Sequence, residues 1–238
     1  MVKRFWEIDF LRGIAIILMI IFNWSFALRY LNIYTINESL FYWYFFPRLI
    51  ASLFISIAGL SLTLSYNQKK SKTALILRGL KIFSLGILIT IATFLTFPEA
   101  TIIFGILHLI GTSIILGSFF LKYKKLNFLL GLLIILLGIF LQNFSFDFPW
   151  LLWLGFIPKN FYTFDYFPIF PWFGIFLIGT SLGNTFYKNG KRSFKIKDFS
   201  NFFIVKFLTF LGQRSLFIYL IHQPLLVLIL LILGFKVF

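Results

Sequence analysis

The first long apolar run of the chain, residues 8–31, reads IDFLRGIAIILMIIFNWSFALRYL and decides the fold. About 20 apolar residues in a helix cross a hydrocarbon core of about 30 Å, so this run is long enough to span a membrane. Similar runs recur along the 238 residues, of which 60% are hydrophobic and 12% charged. The sequence predicts an all-α, polytopic transmembrane helix bundle that forms a single membrane-embedded domain over residues 1–238. About seven spans are predicted, near residues 8–31, 42–66, 76–97, 101–121, 126–143, 168–187 and 210–234.

Basic residues predict the orientation, because cytoplasmic loops are enriched in lysine and arginine. One set of alternate loops is strongly basic, while the other has little beyond Arg29, Lys159 and Lys236. We therefore expect the N-terminus inside and the C-terminus outside. The net charge of +15 reflects this asymmetry and favours contact with anionic lipid headgroups. Basic and aromatic residues are not interleaved as in nucleic-acid-binding segments, so nucleic acid is excluded as a partner.

Two classes of site are excluded by cysteine and histidine usage. The chain has no cysteine, and therefore no disulfide and no thiolate metal site. Its two histidines lie in separate predicted spans, without a His-x-x-x-His pattern or a carboxylate cluster. No metal site is predicted.

Several ionisable residues interrupt the apolar runs. A charge at the centre of a bilayer costs roughly 2.5 to 3.5 kcal/mol, so such residues usually face a protein interior or a watery cavity. In the first span, Asp9 and Arg12 are three residues apart and share a helix face, and Asn23 returns to that face eleven residues later. They predict either a structural ion pair plus an interhelical hydrogen bond, or a polar lining in which Arg12 binds a phosphate.

The second and sixth spans carry stripes of small residues, which permit close packing between membrane helices. Arg48 heads the stripe of the second span, where it either snorkels outward or holds an anionic or carbonyl group in a cavity. Gly179 and Gly183 in the sixth span predict a packing face. The stripe of the second span consists of Arg48, Ser52, Ser56, Gly59 and Thr63.

Both histidines lie on polar stripes of their helices. His108 shares a face with Thr101, Gly105 and Thr112, and is either a satisfied hydrogen-bond partner or a general base. His222 shares a face with two polar residues and precedes a proline, which frees a carbonyl group and kinks the helix. The polar residues of this last span are Ser215, Tyr219, His222 and Gln223, followed by Pro224.

The aromatic segment 144–167, between the fifth and sixth spans, has two interpretations. Aromatic residues favour the headgroup level of a bilayer, so the segment forms either an interfacial helix or a lid over an outward-facing cavity.

Four motifs occur in order across almost the whole chain: residues 4–13 (RFWEIDFLRG), 104–111 (FGILHLIG), 168–174 (PIFPWFG) and 211–224 (LGQRSLFIYLIHQP). Together they resemble the small prokaryotic membrane proteins grouped with the catalytic domain of heparan-α-glucosaminide N-acetyltransferase, formerly a domain of unknown function. The resemblance implies a transmembrane acyltransferase in the prokaryotic plasma membrane. Such an enzyme moves an acetyl group from cytoplasmic acetyl-CoA to an amino-sugar or other glycan acceptor at the outer face.

The resemblance also implies roles for the polar residues found above. Catalytic roles are expected for His108, Arg48 and Asn23. The residues expected to bind acyl-CoA are Asp9, Arg12, His222, Gln223 and Ser215.

This chain departs from the family pattern in one respect. In the lysosomal enzyme the histidine linked to acetyl transfer precedes the second family helix, whereas residues 23–48 here contain no histidine. Many bacterial relatives carry a histidine where this chain has Asn23. A mechanism through a covalent acetyl-histidine is therefore not transferred from the lysosomal enzyme to this chain. The hypothesis for this chain is direct transfer of the acetyl group, assisted by His108.

Two other classes of function stay open at the level of sequence. A transporter of small molecules or lipids would use the same stripes as a path, and a non-catalytic scaffold would use them for packing alone. The absence of internal repeats gives little support to transport. Self-association into a homo-oligomer is also left open.

Overall fold

The computed structural model describes residues 4–33 and 39–235, and within these ranges the regular secondary structure is helical. An isolated bridge between Phe146 and Pro158 is the one β-type pairing in the described part of the chain. The predicted all-α class is confirmed. The described ranges contain eight α-helices, which are α1 (Trp6–Tyr30), α2 (Phe46–Lys69), α3 (Lys72–Thr96), α4 (Ile106–Gly117), α5 (Lys124–Leu141), α6 (Ile169–Phe186), α7 (Phe203–Gln213) and α8 (Ser215–Ile232).

Six of the described helices are long and apolar enough to cross a membrane. They are α1, α3, α5, α6, α8, and α2 taken together with the π-helical turn Phe41–Phe45 that precedes it. Because it has these six helices, the chain is an integral membrane protein. The orientation of the termini stays a prediction.

Two predicted spans differ from the observed helices. The fourth, near 101–121, is the 12-residue helix α4. Residues 101–105 are not helical, and the carbonyl groups at the two ends of this stretch pair with a later loop: Phe164 N–H donates to Ala100 O and Phe167 N–H donates to Phe104 O. The last, near 210–234, is divided at Arg214 between α7 and α8.

The described residues form two compact units. Unit 1 comprises Ile55–Lys195, and unit 2 comprises the described parts of Lys3–Phe54 and Ile196–Phe238. The boundary falls inside α2. That residues 1–238 form a single membrane-embedded domain stays a prediction.

Unit 1 is packed through glycines that bring helix backbones together. A Cβ at Gly59 of α2 would collide with Phe176 O of α6, and a Cβ at Gly179 of α6 would collide with Ser56 O of α2. Gly183 meets the side chain of Thr63 in the same way. The predicted packing face of α6 and the packing role of the lower α2 stripe are confirmed, as expected where small residues line membrane helices.

Unit 2 is built around the pair α1 and α7. A Cβ at Gly13 would collide with Leu208 O, and a Cβ at Gly212 would collide with Asp9 O. Because the pairing runs from 9 with 212 to 13 with 208, the two helices are antiparallel. A small apolar cluster of Ile16, Met19 and Ile50 continues this core.

Candidate active site

The polar centre of unit 2 joins two residues that are 199 positions apart in sequence. Asn23 on α1 places its Nδ2 atom 3.1 Å from Nε2 of His222 on α8. The neighbouring Trp24 donates its indole N–H to the carbonyl oxygen of His222 at 3.2 Å. Two consecutive residues of α1 therefore hold the side chain and the backbone of His222.

The hydrogen bonds of His222 assign its tautomer. Its Nδ1 atom lies 2.6 Å from the carbonyl oxygen of Tyr219, which can only accept a hydrogen bond, so Nδ1 carries the proton. In the neutral ring, Nε2 then carries the lone pair and accepts from the amide of Asn23. The arrangement presents a buried, neutral imidazole whose basic nitrogen is held by one amide group.

The other polar residues of α8 lie near this pair along the helix. The ring of Tyr219 is 5.5 Å from the ring of His222. Ser215 is the first residue of α8, and Gln223 follows His222 and is half-buried. Neither side chain forms a hydrogen bond within the described ranges, so binding of acyl-CoA by these two residues stays a prediction.

The predicted ion pair of α1 is present. Arg12 Nη1 donates to Asp9 Oδ1 at 2.8 Å, and Arg4 Nη1 lies 3.9 Å from Asp9 Oδ2. Asp9 is only 4% exposed, so its charge is balanced mainly by these two guanidinium groups.

Arg48 interacts with its own helix. The residue is exposed, its Nη1 donates to the carbonyl oxygen of Tyr44 at 2.8 Å, and its guanidinium lies 3.6 Å from the centre of the Tyr44 ring. These contacts are those of an arginine that covers an aromatic ring. Its predicted catalytic role stays a prediction.

His108 lies in unit 1, where both ring nitrogens are engaged in holding α4. Nδ1 accepts the backbone N–H of Gly105 at 3.3 Å, and Nε2 lies 3.4 Å from Oγ1 of Thr90. The hydroxyl of Thr90 donates to Ile102 O, so Oγ1 accepts from Nε2–H. The basic nitrogen of His108 is thus occupied by the amide of Gly105, the residue that immediately precedes its own helix.

The neighbouring amide of α4 is capped by a residue that the sequence analysis missed. Asp165 Oδ2 accepts the backbone N–H of Ile106 at 3.0 Å, and Thr163 Oγ1 donates to Thr101 O at 2.7 Å. A carboxylate at a helix N-terminus is stabilising because the exposed N–H groups carry partial positive charge. One signal was available, since Asp147 and Asp165 are the two acidic residues of the aromatic segment.

The aromatic segment 144–167 is an irregular loop that is fixed by side-chain hydrogen bonds. Within residues 144–167 the helical structure is one three-residue turn, Leu152–Leu154, so the interfacial helix, the first of the two interpretations, is not formed. Tyr166 is fixed by donating its hydroxyl to Leu152 O at 2.7 Å. Burial raises the pKa of Tyr166 above its ordinary value. The segment is held against the residues that precede α4.

Among the described residues, no group of three or more histidine, cysteine, aspartate or glutamate side chains could hold a metal ion. The chemistry that the described residues offer is acid–base chemistry at a buried imidazole. In unit 2 that imidazole is His222.

Comparison with known protein families gives a match that covers most of the chain. A family model described as heparan-alpha-glucosaminide N-acetyltransferase, catalytic, matches residues 4–224. The matched range includes both histidines, Asn23 and the ion pair of α1. No curated protein and no solved structure matches the chain significantly.

Proposed function

The chain belongs to the family of the heparan-alpha-glucosaminide N-acetyltransferase catalytic domain, and we propose that it transfers an acetyl group from acetyl-CoA to an amine or hydroxyl of a glycan acceptor. The family and the six long apolar helices make it an integral membrane protein of an acetyltransferase family. In the proposal it resides in the prokaryotic plasma membrane. Acetyl-CoA enters from the cytoplasm, and an amino sugar or another glycan is acetylated at the outer face.

The observation that carries the proposal is the pairing of His222 with Asn23. A neutral imidazole whose Nε2 electron pair is bonded only to a side-chain amide is a suitable general base at neutral pH. In the proposal, the acceptor takes the place of the Asn23 amide at Nε2. The amide of Asn23 then becomes available to stabilise a developing oxyanion.

The reaction balances without a covalent enzyme intermediate. The acceptor nitrogen or oxygen attacks the thioester carbonyl carbon while its proton passes to His222 Nε2. The carbon–sulfur bond breaks, and the thiolate of CoA takes up the proton from the imidazolium. The products are the acetylated acceptor and CoA, and His222 returns to its neutral form.

The proposal assigns the base to His222 and a structural role, the holding of α4, to His108. Acting as a base, His108 would have to release the amide of Gly105 that its Nδ1 accepts. His222 needs only to exchange a side-chain amide for the acceptor. The sequence alone favoured His108, and the two assignments are separable by experiment.

The experiment measures release of CoA thiol from acetyl-CoA by detergent-purified protein, with and without glucosamine as acceptor. We expect His222→Gln to lower kcat by about 10²- to 10⁴-fold with acetyl-CoA binding retained. His108→Gln should lower Tm and leave the kcat of the folded fraction within a few-fold. Ser84→Ala, which removes an exposed hydroxyl bonded to its own helix, is the control.

Two results would contradict the proposal. Loss of turnover in His108→Gln at unchanged Tm, with His222→Gln active, would move the base to His108. Failure of well-folded wild-type protein to bind acetyl-CoA would remove the acetyltransferase proposal altogether.

A further inference from the structure

One end of unit 1 is strongly basic. Three stretches of the chain, residues 66–74, 118–127 and 184–195, contain no acidic residue. Their exposed lysines form no ion pair with another described residue. We call this region the basic end, and it consists of Lys70, Lys72, Lys122, Lys124, Lys125, Lys188, Lys191 and Lys195.

The three stretches meet in the fold. Asn184 of α6 donates its side-chain amide to the carbonyl oxygen of Leu121 at 2.9 Å. A Cβ at Gly190 would lie 3.4 Å from Cγ of Gln68, near the end of α2. The turn between α2 and α3, the loop between α4 and α5, and the residues that follow α6 therefore lie together at one end of unit 1.

The basic end lies at the level of the lipid headgroups. α2 and α6 end there, α3 and α5 begin there, and all four are among the helices long enough to cross a membrane. A helix that crosses the hydrocarbon core has its ends near the headgroups. Tyr123, between two lysines of the basic end, is exposed, and tyrosine is enriched at the interface between membrane and water.

Two helix N-termini increase the positive potential of the basic end. α3 begins at Lys72 and α5 begins at Lys124, and neither helix has an acidic residue in its first turn. The N-terminus of a helix carries partial positive charge, so an acidic residue is favourable there and a lysine is not. The charges of the basic end therefore repel one another and are stabilised by negative charge from outside the chain.

We propose that the basic end binds the headgroups of anionic phospholipids and that these lipids stabilise the folded protein. Lysines beside the ends of membrane helices are attracted by the negative surface potential of such lipids. A ligand that binds only the folded state raises its stability. The charge is spread over three loops on exposed ammonium groups, which suits many mobile headgroups better than one phosphate held in a bidentate geometry. Soluble phosphate is the competing source of negative charge.

The first measurement needs no variant. The Tm of the wild type is compared in nanodiscs of phosphatidylcholine and in nanodiscs that also contain phosphatidylglycerol. We expect the anionic lipid to raise the Tm by about 5 °C at low salt and by less at about 1 M salt, where charges are screened. Sodium phosphate, compared with sodium chloride at equal ionic strength in phosphatidylcholine, is the soluble probe and should not raise the Tm.

The second measurement replaces two lysines of the basic end, Lys122→Gln together with Lys125→Gln. We expect this pair to reduce the Tm difference between the two nanodiscs by about 2 to 4 °C. In phosphatidylcholine alone its Tm should equal or exceed that of the wild type, because repulsion at the start of α5 is relieved.

Two controls accompany this variant. Lys122→Arg with Lys125→Arg keeps both charges and should keep the full Tm difference. Lys159→Gln removes an exposed charge from the segment between the other ends of α5 and α6, and should keep the difference as well.

Equal Tm values of the wild type in the two nanodiscs would overturn the proposal. A rise with sodium phosphate as large as that with phosphatidylglycerol would also overturn it, in favour of a soluble anion. An equal loss in Lys159→Gln would indicate an effect of net charge alone. A glutamine pair that lowers the Tm equally in both nanodiscs would give the lysines a structural role instead. The proposed acetyl transfer does not depend on any of these outcomes.

Discussion

Gly86 on α3 lies directly against the imidazole of His108 on α4. A Cβ at position 86 would come within 2.9 Å of Nδ1 and 3.0 Å of Cε1. The ring cannot easily move away, because its nitrogens are bonded to Gly105 and Thr90 and the aromatic ring of Phe83 packs edge-on at 5.3 Å. The absence of a side chain at position 86 is therefore what makes room for His108.

Gly86→Ala should destabilise the protein by about 1 to 3 kcal/mol, the usual cost of overpacking a filled core. The measurement is the thermal unfolding midpoint in detergent. Ser84→Ala on the same helix is the control, since its hydroxyl is exposed. An unchanged Tm in Gly86→Ala would show that the imidazole is free to shift.

Gly212→Ala should cost about 3 kcal/mol, more than the change at position 86. The reason is that the new Cβ would collide with a backbone atom, Asp9 O, which cannot rotate aside. Chemical denaturation of the detergent-solubilised protein measures the difference. Gln213→Ala, at the exposed neighbouring position, should unfold like the wild type, and a Gly212→Ala protein of equal stability would refute the close approach of α1 and α7.

Asn23→Asp should strongly slow acetyl transfer without unfolding the protein. A carboxylate cannot donate to His222 Nε2 and pairs with it only when the ring is protonated, which removes the base. We expect kcat at neutral pH to fall by about 100-fold, within the range attributed to general base catalysis. Asn143→Asp makes the same change at an exposed position, and retention of full activity in Asn23→Asp would exclude His222 as the base.

Asp165→Ala should destabilise unit 1 by about 1 kcal/mol, because it removes the acceptor that caps Ile106 at the start of α4. The measurement is the Tm in detergent. Asp147→Ala removes a carboxylate from the same segment, but one that is largely exposed and paired with Lys159 at 3.2 Å. Such a surface pair contributes little, so equal losses in the two variants would argue against the capping role.

Tyr166→Phe should change the response of stability to alkaline pH. The folded protein holds the phenolic proton more tightly than the unfolded chain, since burial raises the pKa of Tyr166 above its ordinary value of 10.0. The contribution of the protonated Tyr166 to the free energy of unfolding is fully present below pH 10 and is lost as the pH rises above that value.

The wild type should therefore lose Tm more steeply above about pH 10 than Tyr166→Phe. At neutral pH the variant should lose about 1 kcal/mol, for one hydrogen bond to Leu152. Tyr123→Phe, at an exposed position, serves as the control. Parallel pH profiles for wild type and Tyr166→Phe would contradict the role of burial.

The membrane-crossing helices could be predicted because the length of an apolar run is a local property of the sequence. The exception, α4, shows the limit of that reasoning. Residues 101–105 continue the apolar pattern, yet they are not helical, and the backbone of residues 164–167 pairs with the carbonyl groups at the two ends of this stretch. The segment 164–167 lies about 60 residues further along the chain, and no local pattern in the sequence indicates this pairing.

In the candidate site, only the contacts between residues of the same helix could be predicted from the sequence. The pairing of Asp9 with Arg12 follows from a spacing of three on α1. The pairing of Asn23 with His222 depends on which faces of α1 and α8 meet, which is a property of tertiary packing. For His108, the sequence places the ring on a polar stripe but does not show that Thr90 and Gly105 occupy both nitrogens.

The glycine contacts of the two units have a consequence for suppressor genetics. At Gly13, Gly59, Gly179 and Gly212 the opposing atom is a backbone oxygen, so no substitution at the contacted residue can make room for a larger side chain. Revertants of alanine mutants at these positions must restore the glycine or shift a whole helix through changes elsewhere. At Gly86 the opposing atoms belong to a side chain, and a smaller residue at position 108 can restore the fit.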